Sequence, residues 1–257
     1  MTLSDAKQRF SNRAADYVRY RPSYPREMLN LLRAECGLRP GNVIADIGSG
    51  TGLLSELFLK NGNRVYGVEP NEAMRRAGEE YLASYDGFSS IEGSAEATAL
   101  EDASVDFVTA GQAFHWFEPA GAHREFARIL KPTGWVVLAW NDRRMDEFPF
   151  TRAYEELLEH FGIDYKKVKD SYPEVERVRT FLGTFAGQDL PHYQLLDWEG
   201  LSGRLRSISF TPPEGAPSFA PMMAELHRIF EAHQQDGQVR MDYFMRVYYG
   251  RIQADQG

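Results

Sequence analysis

The sequence predicts an α/β chain, a doubly wound and mostly parallel sheet of seven strands with helices on both faces. Three observations predict it. The apolar run Val43-Ile44-Ala45-Asp46-Ile47 leads into Gly48-Ser49-Gly50-Thr51-Gly52, after which Leu53, Leu54, Leu57 and Phe58 take helical spacing, giving strand, tight turn and helix. A second such unit follows, with Arg64 to Glu69 as the strand and Asn71 capping a helix whose core face is Ala73, Met74, Ala77 and Tyr81. Apolar strands then recur at Ser104–Ala110 and Trp135–Trp140, separated by a helix from Pro119 to about Lys131, and this alternation is the mark of a parallel sheet.

The remaining elements follow in order. Residues 8–22 form an arm rich in rings and arginines, including Phe10, Tyr17, Arg19, Tyr20, Arg21 and Pro22. Ser23-Tyr24-Pro25 opens a helix striped by Met28, Leu31, Leu32 and Cys36 and ended by Gly37. Phe88 to Glu92 makes a short third strand running into Gly93-Ser94-Ala95-Glu96. After the fifth strand the rhythm breaks, and Phe150, Ala153, Tyr154, Leu157, Leu158 and Phe161 mark an amphipathic helix. Residues 145–190 are expected to be a helical insertion covering the pocket, since no linker composition marks their borders. Tyr193 to Trp198 is the expected sixth strand, residues 200–207 a short helix, and Met222, Met223, Leu226, Ile229, Phe230 and His233 the face of the last helix. Asp236-Gly237 then turns into Val239 to Ile252, expected to end the sheet as an antiparallel hairpin.

The glycine turn points to a ligand. Glycine permits positive φ and close approach of backbone, and the helix start behind it presents free N–H groups suited to a carboxylate or phosphate. The dinucleotide fingerprint counted from Gly48 requires glycine where this chain has Leu53, which disfavours a nicotinamide-dependent oxidoreductase. Glu69 stands about twenty residues beyond the glycines, where such folds place a carboxylate on ribose hydroxyls.

The Asp46-Ile47-Gly48-Ser49-Gly50-Thr51-Gly52 turn resembles the first motif of the class I S-adenosylmethionine-dependent methyltransferases. With Glu69, Gly93–Glu96 and Gly111–Phe117, the chain is similar to the type 11 family. Gln112-Ala113-Phe114-His115-Trp116-Phe117, the opening Tyr17-Val18-Arg19-Tyr20-Arg21-Pro22-Ser23-Tyr24-Pro25 and the closing Asp236-Gly237 resemble its trans-aconitate methyltransferase-like branch. The resemblance implies one methyltransferase domain over 1–257, with residues 1–40 as an arm and helix capping the pocket. It implies S-adenosylmethionine as cofactor and S-adenosylhomocysteine as product. The cofactor contacts it suggests are Tyr20, Arg21, Asp46, Gly48, Ser49, Gly50, Thr51, Gly52, Glu69, Pro70, Met74, Ser94, Ala95, Glu96 and Gln112. Ser94 stands where the family often has Asp, so the adenine contact falls to the Ala95 backbone or to Glu96. Met74 is open between an adenine contact and ordinary core.

Methyl transfer from a sulfonium is an in-line displacement, so alignment and exclusion of water are the protein's main work. Phe114, Trp116 and Phe117, with Tyr17, Tyr20 or Tyr24 from the arm, are candidate aromatic walls able to stabilise the methyl's positive character. Arg21 or Tyr20 is the expected partner of the cofactor's carboxylate. His115 is the candidate general base or acceptor hydrogen-bond partner, against a purely structural role. Tyr17, Tyr24, Phe114, His115, Trp116, Arg143 and Arg144 are the candidate acceptor contacts; the arginine pair is open between binding an acidic acceptor and simple solvation.

Composition narrows the classes. With 43% hydrophobic residues, 26% charged residues and a net charge of −8, the chain has material for a core and no broad basic surface. A nucleic acid partner is disfavoured, though an RNA methyltransferase stays as an alternative to a small-molecule enzyme, as does a noncatalytic cofactor-binding scaffold. Cys36 is the single cysteine, the histidines are scattered, and no metal is expected. The first residues have no apolar leader pattern, and no apolar run reaches about 18 residues, so a cytoplasmic protein without a membrane partner is expected.

Overall fold

In the computed structural model, the described residues are 14–144, 148–163, 165 and 175–252. Phe10 and the first part of the predicted arm, with residues 145–147, 164 and 166–174 of the predicted insertion, lie outside them.

A seven-stranded sheet carries the chain, in the order β3-β2-β1-β4-β5-β7-β6. Its strands are β1 (Val43–Ile47), β2 (Arg64–Val68), β3 (Phe88–Ile91), β4 (Val105–Gly111), β5 (Leu130–Arg143), β6 (Phe185–Leu196) and β7 (Val239–Gly250). The first five are parallel to one another, with Asp46 opposite Gly67 on one side and Thr109 on the other. β7 lies antiparallel between β5 and β6, with Arg143 opposite Tyr243. The predicted doubly wound sheet with an antiparallel C-terminal pair is therefore what forms. Two helices, not a tight turn, join β6 to β7; Asp236 and Gly237, both at positive φ, turn from the last helix into β7.

Nine helices occur among the described residues: α1 (Ala14–Tyr20), α2 (Glu27–Cys36), α3 (Leu53–Lys60), α4 (Glu72–Tyr81), α5 (Pro119–Ile129), α6 (Pro149–Phe161), α7 (Val175–Leu182), α8 (Trp198–Arg206) and α9 (Phe219–His233). Local chemistry sets their starts. Asn71 accepts from the Met74 amide at 3.1 Å, Glu118 from those of Ala120 and Gly121, and Asp197 from that of Gly200 at 2.7 Å. Gly37 ends α2 in the left-handed conformation at φ 69°.

The sequence placed β6 too late and took its first residues for insertion. Phe185 to Leu196 alternates weakly because most of its residues face solvent at the sheet edge. Trp198 begins α8 and does not end a strand. The described insertion also divides. The α7 residues Val178, Phe181 and Leu182 join the core on the β4–α5 face, whereas the α6 residues Phe150, Tyr154, Leu157 and Leu158 join a third core built with α8, α9 and β7. That third core carries Tyr154 and Tyr243, both fully buried, to the side of the site described below.

Candidate cofactor and acceptor cleft

The site lies outside the C-terminal ends of β1, β2, β4 and β5, where an open α/β sheet gathers its loops. Gly48 and Gly50 stand at φ 67° and 56°, in the region glycine tolerates best. A Cβ on Gly48 would come within 2.7 Å of Ala113 Cβ, so the turn passes too close to the segment after β4 for any side chain. The Gly48 amide donates to Val68 O at 2.8 Å, which ties the turn to β2.

Two carboxylates brace this turn. Asp46 is 1% exposed and accepts from Ser55 Oγ at 2.7 Å and Thr109 Oγ1 at 3.1 Å. Burial pushes its carboxyl pKa up to about 7, against the pull of those two hydroxyls. Glu69 accepts from the Gly50 amide at 2.9 Å and the Asn71 amide at 2.8 Å, locking the β2 end to the glycine turn. A carboxylate has about four lone-pair sites, so two backbone donors do not by themselves exhaust it. The buried Thr51 Oγ1, also on the cleft wall, has no hydrogen-bond partner among the described residues.

Around this floor the cleft brings together most of the predicted contacts. Arg21, Asp46, Gly48, Ser49, Gly50, Thr51, Glu69, Pro70, Met74, Ser94, Ala95, Glu96 and Gln112 border it, as do Tyr17, Tyr24, Trp116 and Arg143. Gln112 reaches its place at φ 56°, and its Nε2 donates to Asn141 O at 3.3 Å. The Glu96 carboxylate accepts from the Glu118 amide at 2.8 Å, so it also helps to fix the start of α5. The arm closes in from the other side, with Arg21 over the Tyr17 ring at 4.7 Å and donating to Ser207 O at 3.1 Å.

Five predicted residues are placed elsewhere. Tyr20 does not border the cleft; its ring is 8% exposed, packs where Gly203 of α8 has no side chain, and its hydroxyl donates to Glu199 at 3.2 Å. Of the Tyr20 and Arg21 pair, only Arg21 can meet a ligand there. Gly52 sits behind the turn as the N-cap of α3, at φ 85° against Leu82. Phe114 is fully buried and packs edge-on to Phe181, with ring centroids 4.8 Å apart, because the short 3-10 turn Phe114–Trp116 aims it into the core. The same turn carries His115 away from the cleft, beside Trp116 at 4.9 Å. Desolvation, aided by the nearby Arg177 charge, lowers its pKa to about 3, so the imidazole is neutral at working pH. Arg144 stacks over Phe244 at 4.3 Å and Phe148 at 5.2 Å, outside the cleft.

Other lining residues escaped the sequence reading. Asn141 borders the cleft from the end of β5, with its Oδ1 2.6 Å from His192 Nε2. Arg204 borders it from α8 and is 2% exposed. A signal for α8 existed in Gly200 and Gly203, spaced so that one helix face lacks side chains and permits close approach, but it does not mark the neighbouring arginine. Among the described residues no group of His, Cys, Asp and Glu is arranged to hold a metal, and no helix is long and apolar enough to cross a membrane.

Comparison with known proteins agrees with this geometry. Residues 45–138 match the type 11 methyltransferase domain family. An uncharacterised methyltransferase of Mycobacterium tuberculosis is 35% identical over 176 residues, 66% of this chain and 66% of that one, so the chain spans just under two thirds of such a curated relative. A methyltransferase-like protein of Schizosaccharomyces pombe is 28% identical over 242 residues, 91% of each chain. Among solved structures, a candidate type II methyltransferase from Anaeromyxobacter dehalogenans superposes with a TM-score of 0.62 at 22% identity, covering 91% of this chain and 98% of that one. A candidate methyltransferase of an antibiotic pathway in Anabaena variabilis gives 0.60 at 21%, covering 88% and 96%. These two likenesses establish the fold. Over residues 45–138 the chain is thus similar to the methyltransferase domain family, and the relatives that match it over a longer span bear the name methyltransferase.

Proposed function

We propose that the chain transfers a methyl group to an oxygen or nitrogen of a small-molecule acceptor, with carboxylic acids of the trans-aconitate kind among the candidates. The observation that carries the reading is the polarity of one continuous cleft: carboxylates from Asp46, Glu69 and Glu96 border one end, guanidinium groups from Arg21, Arg143 and Arg204 the other.

The residues present fit the cofactor. Gly48 and Gly50 make a cradle that a side chain would fill, the Thr51 hydroxyl is a buried polar group awaiting a partner, and Glu69 is the acceptor a ribose diol requires. When bound, S-adenosylmethionine supplies a methyl group on a sulfonium centre. The chain's own contribution is alignment and exclusion of water. The Glu69 bonds to Gly50 and Asn71 hold the turn in one shape before any ligand arrives. Tyr17, Tyr24, Trp116 and Phe117 close the walls with aromatic surface that offers cation–π stabilisation. Among the described residues no histidine borders the cleft, which suits an acceptor that is already ionised, such as a carboxylate, or one that loses its proton to solvent after transfer.

The test is release of S-adenosylhomocysteine from S-adenosylmethionine across a panel of small acids, alcohols and amines. Turnover dependent on one chemical class of acceptor is expected. Tight S-adenosylhomocysteine binding with no turnover on any class would leave the chain a cofactor-binding scaffold.

A further inference from the structure

The arginines at the acceptor end are not equivalent. Arg143 is answered by Glu155, with Nη2 2.7 Å from its carboxylate, and Arg21 donates to Ser207 O. Arg204 is 2% exposed, yet among the described residues no carboxylate forms an ion pair with it. Its Nε makes a long hydrogen bond, 3.4 Å, to Tyr243 Oη, and its buried Nη1 has no partner among the described residues. The Tyr154 hydroxyl, on a fully buried ring of α6, is likewise unpartnered there. Arg143 lies over that ring, its guanidinium carbon 5.8 Å from the centroid, and Tyr154 belongs to the third core and does not border the cleft.

A buried cation without a counter-charge and a buried donor without an acceptor both cost stability. Folding leaves both costs standing at Arg204, on the wall of a binding cleft, as expected of donors held for a ligand.

We infer that Arg204 anchors a non-reacting carboxylate of the methyl acceptor, which is therefore an anion with at least two functional groups. This deepens the proposed methyl transfer and rests on it. A planar guanidinium matches the two oxygens of a carboxylate. The anchored group is not the methylated one for a geometric reason. Tyr243, which Arg204 reaches, is on β7, three strand spacings from the glycine turn at β1, on the order of 14 Å across the sheet. The cofactor's own carboxylate is the other possible source, and the test separates the two.

The experiment is calorimetric titration of the full chain, saturated with S-adenosylhomocysteine, with succinate, glutarate and phenylacetate, each against its neutral amide. The acids are expected to bind at least tenfold tighter than the amides. Arg204→Gln should lose at least tenfold of that affinity and Arg204→Lys should recover part of it. Affinity for S-adenosylhomocysteine should stay unchanged in both. Should Arg204→Gln not fold, Arg204→Lys carries the comparison. Equal binding of acids and amides to the saturated wild type overturns the inference while leaving methyl transfer standing. An Arg204 variant that weakens S-adenosylhomocysteine but not 5′-methylthioadenosine also overturns it, assigning the anchor to the cofactor's carboxylate. Wild-type protein that fails to take up S-adenosylhomocysteine at all would instead remove the methyl-transfer reading beneath it.

Discussion

The two ends of the cleft are built in opposite ways. At the cofactor end, Asp46, the glycine turn and Glu69 come from consecutive strand ends within 24 positions of one another, braced by their own backbone amides. At the acceptor end, Arg21, Arg143 and Arg204 come from three separated stretches, and among the described residues no carboxylate forms an ion pair with Arg204. The first end is finished by local chain geometry; the second is assembled by tertiary packing and left short of a counter-ion. A cofactor common to a broad family suits the first construction, and an acceptor that differs between members suits the second.

Arg143→Ala should produce the largest effect, confined to stability. It would break the buried ion pair with Glu155, whose side chain is 8% exposed. Loss of about 3–5 kcal/mol is expected, a fall in Tm of roughly 10 °C, with S-adenosylhomocysteine binding intact below the transition. A Tm within a degree or two of wild type in thermal unfolding would mean that the ion pair adds nothing and the two ends differ less than described.

Gly50→Val acts on the other end and should leave a folded protein. A β-branched residue at φ 56° is strained, and its side chain would meet Met74 and the ligand's space. Affinity for S-adenosylhomocysteine should fall about 100-fold, ~2.7 kcal/mol; unchanged affinity by calorimetry would refute the placement of the cofactor.

Asp46→Asn tests how far the brace at the cofactor end is electrostatic. Burial holds the folded carboxyl up to about 7, above its unfolded value of about 3.9. The folded state therefore holds the proton more tightly, and the stability this contributes is present below about pH 4 and lost as pH rises through 7. The stability of wild type relative to Asp46→Asn, from urea unfolding at several pH values, should decline between pH 4 and 7 and then level. A flat or rising difference would place the carboxyl in a solvated environment.

The smallest effect belongs to His115→Ala. Since the imidazole does not border the cleft, S-adenosylhomocysteine affinity and turnover should both stay within about twofold of wild type, less than ~0.4 kcal/mol. A hundredfold loss of kcat alone would restore the general-base role.

Legibility followed the same division. The strand-end turn at Asp46–Gly52, the acid at Glu69 and the cap at Asn71 are short-range patterns, each with a local physical cause, and sequence suffices to find them. The seven strands were legible too, although β6 lost its first eight residues because an exposed edge strand does not alternate cleanly. Direction after β4 was not legible: Phe114, His115 and Trp116 are adjacent, and only the 3-10 turn decides that Trp116 meets the cleft while Phe114 enters the core. Nor was Arg204, an arginine in a short polar helix whose burial depends on Tyr20 packing over Gly203 from the far end of the chain. Arg143 and Arg144 looked equivalent in sequence, and strand alternation sends the first inward to Glu155 and the second onto Phe244.

The most direct measurement is calorimetric titration of the wild-type chain with S-adenosylhomocysteine, with NAD as the control. Saturable one-to-one binding of S-adenosylhomocysteine and none of NAD is the predicted result. Binding of NAD, or of neither compound, would contradict the assignment of the carboxylate-lined end to S-adenosylmethionine, and with it the division of the cleft into a cofactor end and an acceptor end.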